Sequence, residues 1–420
     1  MKKYESYKDS GVGWIGEIPS HWSCVKVKHL LRERVDKSED GIGEPLSMSQ
    51  KYGLIPTSQM DVVPNLATSY VGAKRTKQGD MVLNKLKAHL GVFALSAYDG
   101  LVSPDYAVYY GTGRADLEYL EYLFKTPLYV SEFIKKTTGV AIGFNRLYTD
   151  DLFSIPAHYP PMQEQKRIVD YLKDKTLKIE QYVSARERER ELLDSLKQSE
   201  IANVVTKGLN PNVKMKDSGI PWIGEIPEHW TLRRVKFIFT ESKDKSVLGK
   251  EMPLSLGKET GIIPSSEKKN KTMESASFVG CKIVNKGDIV FNRFKARLFA
   301  ISDYEGVVSS DYAVYKCKDS ADPRYIVTLF GTQMYRTAFD RKASGVGDGF
   351  SRLYTDDLFS FYAIFPPLEE QQAIVAYIDE KLQKIDQYMS DLQREIDYLK
   401  EFKQRLISDA VTGQLCVTKQ

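Results

Sequence analysis

The chain has 420 residues, enough for two or three domains with separate cores. Apolar residues make up 42% and charged residues 28%, an ordinary globular balance, and no apolar run approaches the ~18 residues that would span a bilayer. A net charge of +4 does not mark the chain as a basic nucleic-acid binder, so any phosphate-binding surface must be local or partly supplied by a partner.

The first residues, Met1-Lys2-Lys3-Tyr4-Glu5, lack the apolar stretch of a signal peptide. Cys24, Cys281, Cys317 and Cys416 are scattered, with no Cys-x-x-Cys pair. Neither a disulfide framework nor a zinc site is expected, and a reducing cytoplasm fits. The block Lys8–Trp22 contains two tryptophans, read as core or capping residues rather than base-stacking platforms, and His21, read as structural. Lys74 and Arg75, with Lys77, form a basic cluster before the Gly79-Asp80 turn. Strands are expected at 81–83, 92–95 and 106–110, punctuated by turn residues, and helices at 116–125 and 128–136. Between the first two strands, Lys85, Lys87 and His89 alternate with apolar residues. On a strand that alternation puts the cations on one face. Such a row suits phosphate or guanine contact, or is simply the solvated face of an amphipathic strand.

Residues 162–207 follow Pro160-Pro161, contain no Gly or Pro, and stop at Gly208, the punctuation of a single helix roughly 65–70 Å long. Its apolar positions include Ile168, Leu172, Ile179, Val183 and Leu193. Its centre, Arg186 to Glu191, alternates in charge. That run reads as a solvated face paired along the helix, with a partner-contact surface as the alternative.

Everything then recurs. Lys8–Trp22 returns as Lys216–Trp230, displaced by 208 positions, and Asp105–Tyr109 returns as Asp311–Tyr315, displaced by 206. Arg146–Ser154 returns at 352–360, and a second helix-like stretch fills 368–412. The period is far beyond that of a solenoid, so this is a duplicated domain pair. The second helix has a 4-3 seam of Leu382, Ile385, Met389, Leu392, Ile396 and Leu399, as a coiled coil buries. The basic row returns as Arg293, Lys295 and Arg297, and a further basic cluster holds Lys268 and Lys269. Strands are expected at 289–291 and 312–315, and helices at 322–331 and 333–342.

Signals of catalysis are missing. There is no phosphate-binding glycine loop, no dinucleotide fingerprint and no Asn-Pro-Pro-Phe/Tyr motif. Pro104-Asp105 lacks the following Glu-x-Lys of a nuclease, and its counterpart is Ser310-Asp311. No catalytic, metal or cofactor residue is assigned.

Three sets of residues carry a family likeness: Gly-x-x-Trp-Ile-Gly-Glu-Ile-Pro-x-His-Trp heading each half, Pro-Pro-x-x-Glu-Gln at Pro160–Gln165 and Pro366–Gln371, and the helix ends Val205–Gly208 and Val411–Gly413. The chain resembles the specificity subunit of Type I restriction–modification systems over essentially its whole length. The resemblance implies an α+β fold: two mixed α/β target recognition domains, 1–161 and 208–367, separated by two antiparallel coiled-coil helices, 162–207 and 368–413, with a tail at 414–420 and pseudo-two-fold symmetry. It implies that each half reads one part of a bipartite site on double-stranded DNA. The helices would dock two methyltransferase subunits, and motor/nuclease subunits would join through the complex. S-adenosylmethionine, ATP and Mg would belong to those partners, and none to this chain. The helix positions assigned to subunit docking are Ile168, Leu172, Ile179, Leu193, Leu382, Ile385, Leu392, Ile396 and Leu399.

If the halves read different sequences, shared residues are scaffold or phosphate contacts and differing ones carry specificity. Arg146 and Arg352 fall in the first class. His89 against Arg297, Gln59–Asp61 against Glu267–Lys269, and Ala141–Asn145 against Gly347–Ser351 fall in the second. Asn145 and Ser351, in loops bracketed by glycine, are placed near DNA. The competing reading is a coiled-coil scaffold that binds proteins without DNA specificity.

Overall fold

The computed structural model describes residues 3–49, 52–61, 69–138, 145–257, 260–268, 277–294, 298–344 and 351–417, and omits the side chain of His89. The chain divides into two compact units: unit 1 comprises Met1–Glu187 with Gln393–Gln420, and unit 2 comprises Arg188–Leu392. Each unit thus holds one globular half and part of both long helices.

In unit 1 a four-stranded antiparallel sheet runs in the order Leu31–Glu33, Tyr106–Gly111, Met81–Asn84, Phe93–Leu95. Two-stranded pairs surround it, such as Ser23–Lys26 with Pro156–Tyr159 and Lys74–Thr76 with Gly100–Val102. Helices α1 (Leu117–Phe124) and α2 (Pro127–Lys136) follow the sheet. Asp116 caps α1 by accepting from the amides of Glu118 and Tyr119, and Pro127 opens α2 where no amide is needed. Helix α3 (Thr149–Ser154) leads into Pro156–Tyr159 and then into α4 (Met162–Lys207).

Unit 2 repeats this order. Its sheet runs Phe239–Glu241, Tyr312–Cys317, Ile289–Asn292, Phe299–Ile301, followed by α5 (Pro323–Phe330), α6 (Gln333–Lys342), α7 (Thr355–Ser360) and α8 (Leu368–Val411). Each half has an aromatic centre: Phe93, Phe124, Tyr129 and Phe133 in one, Phe299, Phe330, Tyr335 and Phe339 in the other. Trp14 meets Tyr129 edge-on at 5.1 Å, and Trp222 meets Tyr335 at 5.0 Å. Trp22 and Trp230 are fully buried. All four tryptophans are therefore packing residues.

The two sequence signatures are the two sides of one contact. The His21 ring nitrogen Nε2 lies 2.7 Å from Glu164, and Trp22 donates its indole N–H to the same carboxylate at 3.2 Å. Gln165 accepts from the Asp116 amide at 2.7 Å and donates to the Pro160 carbonyl at 2.7 Å. In unit 2 Glu370 takes His229 and Trp230, and Gln371 takes Asp322 and Pro366. The Glu-Gln pair in the first helical turn thus ties the helix to the globular half through hydrogen-bonded polar groups, of which Glu164, Gln165 and Gln371 are buried.

The seam residues pack within the chain. Ile168 and Leu172 join Leu406, Ala410 and Val411 in the core of unit 1, while Val204, Val205 and Ile374 join the core of unit 2. Leu392 and Ile396 are buried, and Leu193, Ile385 and Leu399 are half-buried. Ile179 and Leu382 sit at the margins of the two cores. These positions, assigned to subunit docking from the sequence, are at least half-buried within the chain itself.

The pair is antiparallel in each unit. Tyr182 donates to Glu395 in unit 1 at 3.0 Å, and Tyr388 donates to Glu189 in unit 2 at 2.7 Å. The two bonds are equivalents under the 206-residue shift. The charged centre of α4 differs from expectation. Arg186 reaches Glu395 at 3.4 Å and Glu187 reaches Lys400 at 2.8 Å, so part of the run binds across the pair as well as within its own helix, where Arg186 donates to Tyr182. Among the described residues, no helix is long and apolar enough to cross a membrane.

Candidate nucleic-acid interface

The strand Met81–Asn84 ends where its neighbour begins, since Asn84 is paired with Tyr106. Residues 85–90 have no strand to pair with. They turn into a short 3-10 segment, Lys85–Leu90, closed by Gly91 in the left-handed region at φ 64. The expected amphipathic strand is therefore absent, and the cations do not form a row. Lys85 is half-buried, Ala88 is buried and Lys87 is exposed.

A second segment is tied to this one. The Leu147 amide donates to the Lys85 carbonyl at 3.2 Å, and Leu353 donates to Arg293 at 3.1 Å. Just before Leu147, Thr138 and Arg146 exchange backbone bonds of 3.0 and 2.8 Å; Ser344 and Arg352 do the same at 3.1 and 2.8 Å. Each exchange closes the neck of a loop, 139–145 or 345–351. Exposed Asn145 and Ser351 stand at these necks. The rest of the two loops, including Ala141–Phe144 and Gly347–Phe350, lies outside the described residues, as do Lys295, Arg297 and Lys269.

Arg146 is aimed by Asp105, whose Oδ1 accepts from Nη2 at 2.9 Å. Arg352 faces Asp311 at 3.6 Å and stacks its guanidinium over Phe294 at 4.2 Å. Asp105, which in sequence suggests at most an incomplete nuclease motif, is the partner of the neck arginine. Tyr148 and Tyr354, two residues after these arginines, are 46% and 47% exposed. Their exposure was not evident from the sequence; the signal was two aromatics conserved between the halves outside any apolar period.

Other candidate cations are structural. Lys74 is buried with its ammonium 3.3 Å from Glu33, and Lys282 matches it at 3.1 Å from Glu241. The ammonium of Lys74 is therefore turned to Glu33 rather than offered to solvent. Arg293 donates to Glu241 at 2.9 Å and Thr355 at 3.3 Å, beneath the neck of its loop. Burial, reinforced by Lys74, holds the Lys85 ammonium below the usual lysine range. Arg75 is paired with Asp40 at 3.1 Å and Asp36 at 3.9 Å. Lys268 is half-buried at the end of the turn Ser265–Glu267. Lys74 and Arg293 are thus neutralised by glutamates, whereas Lys87, Asn145 and Tyr148, and in the second half Ser351 and Tyr354, are exposed beside the half-buried Arg146 and Arg352.

Residues 227–397 match the model of the Type I restriction modification DNA specificity domain. A Methanocaldococcus jannaschii protein, provisionally named the type I restriction enzyme MjaX specificity subunit, is 23% identical across 99% of this chain and 98% of its own. The EcoKI specificity subunit of Escherichia coli is 19% identical across 77% of this chain and 69% of its own. Among solved structures, a chain from work on complex assembly and conformational transition of the type I R-M system superposes with a TM-score of 0.69 at 16% identity, covering 95% of this chain and 99% of that one. The HsdS subunit of Thermoanaerobacter tengcongensis superposes at 0.55 with 17% identity, covering 95% and 98%. Residues 227–397 thus carry a match to a Type I restriction modification DNA specificity domain, and with its duplicated halves and paired long helices the chain is similar over its length to type I restriction enzyme specificity subunits.

Proposed function

We propose that this chain is the DNA-reading subunit of a Type I restriction–modification complex, with each globular half reading one part of a bipartite asymmetric site on duplex DNA. The match to a DNA specificity domain carries the reading. The repeated neck geometry supports it: an arginine aimed by an aspartate, beside an exposed tyrosine and a residue that differs between the halves. In this reading Arg146 and Arg352 hold phosphate, and Asn145 and Ser351 stand next to the base-reading loops. Lys87 and the cations on the Lys295–Arg297 segment add phosphate contacts.

The helices would dock two methyltransferase subunits through the faces turned away from the seam, where Leu192 is 62% and Tyr398 67% exposed. These two are also equivalents under the 206-residue shift. S-adenosylmethionine, ATP and Mg would be held by the methyltransferase and motor/nuclease partners, in the cytoplasm with the DNA they act on.

The test is the salt and sequence dependence of binding by the assembled complex to duplex DNA. The reading expects affinity to fall linearly with salt on a log–log plot and to depend on sequence. A protein-binding scaffold would show neither.

A further inference from the structure

The His-Trp clamp is finished differently in the two units. In unit 1 the Glu164 carboxylate accepts from His21, from Trp22 and also from the Tyr4 hydroxyl at 2.7 Å. The Tyr4 ring lies 5.6 Å from His21 and 5.8 Å from Trp22, and the Glu164 side chain is 7% exposed. In unit 2 the repeat puts Asn212 at the position of Tyr4. Glu370 keeps His229 and Trp230 but is 43% exposed. Beside it lies a cavity of about 130 Å³ lined by Pro227, His229, Trp230, Glu370, Ala373 and Ile374, among others.

We propose that this cavity is a receptor for one tyrosine side chain of another polypeptide, held as Tyr4 is held in unit 1. Its size suits a single ring, since a cavity of about 150 Å³ accepts benzene, and pockets for free metabolites start at about 300 Å³. A phenol fits better than a phenyl group. Covering Glu370 without a donor would desolvate a carboxylate for no return, whereas a hydroxyl supplies a charge-assisted bond. The phenol chemistry rests on the two units alone. That the tyrosine comes from a partner chain rests on the reading of this protein as a subunit of a complex.

The probe is p-cresol, titrated calorimetrically against the purified full-length chain, with toluene as control. One saturable site is expected, with toluene at least about tenfold weaker, equivalent to ~1.4 kcal/mol. Asn212→Tyr should fill the site and abolish binding, and Tyr4→Ala should open a second. Should Tyr4→Ala fail to fold, Asn212→Tyr still decides the matter. The assembled complex should bind p-cresol at least tenfold more weakly than the free chain. No saturable binding, binding unaffected by Asn212→Tyr, or equal binding by the assembled complex would each overturn the proposal. Loss of sequence-dependent DNA binding by the complex would count against the functional reading instead, and would leave the p-cresol result standing.

Discussion

Arg146 and Asn145 are neighbours in sequence to which the proposed function gives different tasks. Arg146 is fixed by its backbone exchange with Thr138 and by Asp105, so its charge is held in one place whatever DNA is offered. Arg146→Ala should weaken binding by a similar factor on all sequences and lower the salt slope, measured by titration at several salt concentrations. Asn145→Ala should instead relax preference at one half-site, by about 1–3 kcal/mol per lost base contact, with the other half-site unchanged. A uniform loss from Asn145→Ala would remove it from base reading. His158 gives a prediction about pH. It is fully buried, with Nδ1 accepting from Tyr129 and Nε2 donating to the Val411 carbonyl, a pattern that needs one ring proton. Burial pushes its pKa down to about 4, and the bond to Val411 only partly opposes this. The unfolded chain, with a value near ~6.5, binds the proton first as pH falls. Stability is therefore full above ~6.5, declines through the interval and reaches its floor below about 4, a loss of up to ~3 kcal/mol. The equivalent position in unit 2 is Ile364. His158→Ile should flatten this part of the stability profile, read by urea melts from pH 7 to pH 4. An unchanged slope would mean that another group is responsible.

At the scale of elements, what could be read in advance depended on how local the cause was. Helices α1, α2, α5 and α6 fall within a residue or two of the expected spans, and Asp116, Thr126, and Asp322 with Pro323 mark the starts of the first three chemically. The long helices were legible for the same reason, through proline before and glycine after. The segment 85–90 was not. Its alternation is genuine, but a strand needs a neighbour, and the neighbour's end at Tyr106 is a tertiary fact. The bridges from the charged centre of α4 to the other helix were not legible either, since pairing along one helix and pairing across two use the same residues. Glu187 with Lys400 and Glu180 with Lys403 show the second choice. These exposed bridges fix register more than they add stability. The apolar seam carries the energy. Leu172→Ala, at a fully buried position, should cost about 2–5 kcal/mol in denaturant melts. Leu192→Arg, on the outer face, should change stability by no more than about 0.5 kcal/mol. The same substitution should abolish co-purification with a methyltransferase subunit, and retention of the partner would remove that face from the docking surface.

At the scale of the whole molecule, the duplication separates what the two units share from what they do not. Both have the Glu-Gln lock under the His-Trp pair, the buried lysine–glutamate bridge and the pinched loop neck. They differ at Lys85 and Arg293, at Asn145 and Ser351, and at the Tyr4 and Asn212 positions. The offset alone pairs Lys85 with Arg293 and Asn145 with Ser351. It could not show that Lys74 is buried or that Asp105 serves Arg146, because burial and side-chain partners appear only once the strands are assembled. The central claim is that two equivalent scaffolds read two different DNA words. The most direct test is to map methylated adenines in a host carrying this system, with the natural chain and with residues 1–161 exchanged for those of a relative. The claim predicts a two-part motif separated by unread bases, in which the exchange alters one part and leaves the other intact. A continuous motif, or an exchange that alters both parts, would contradict it.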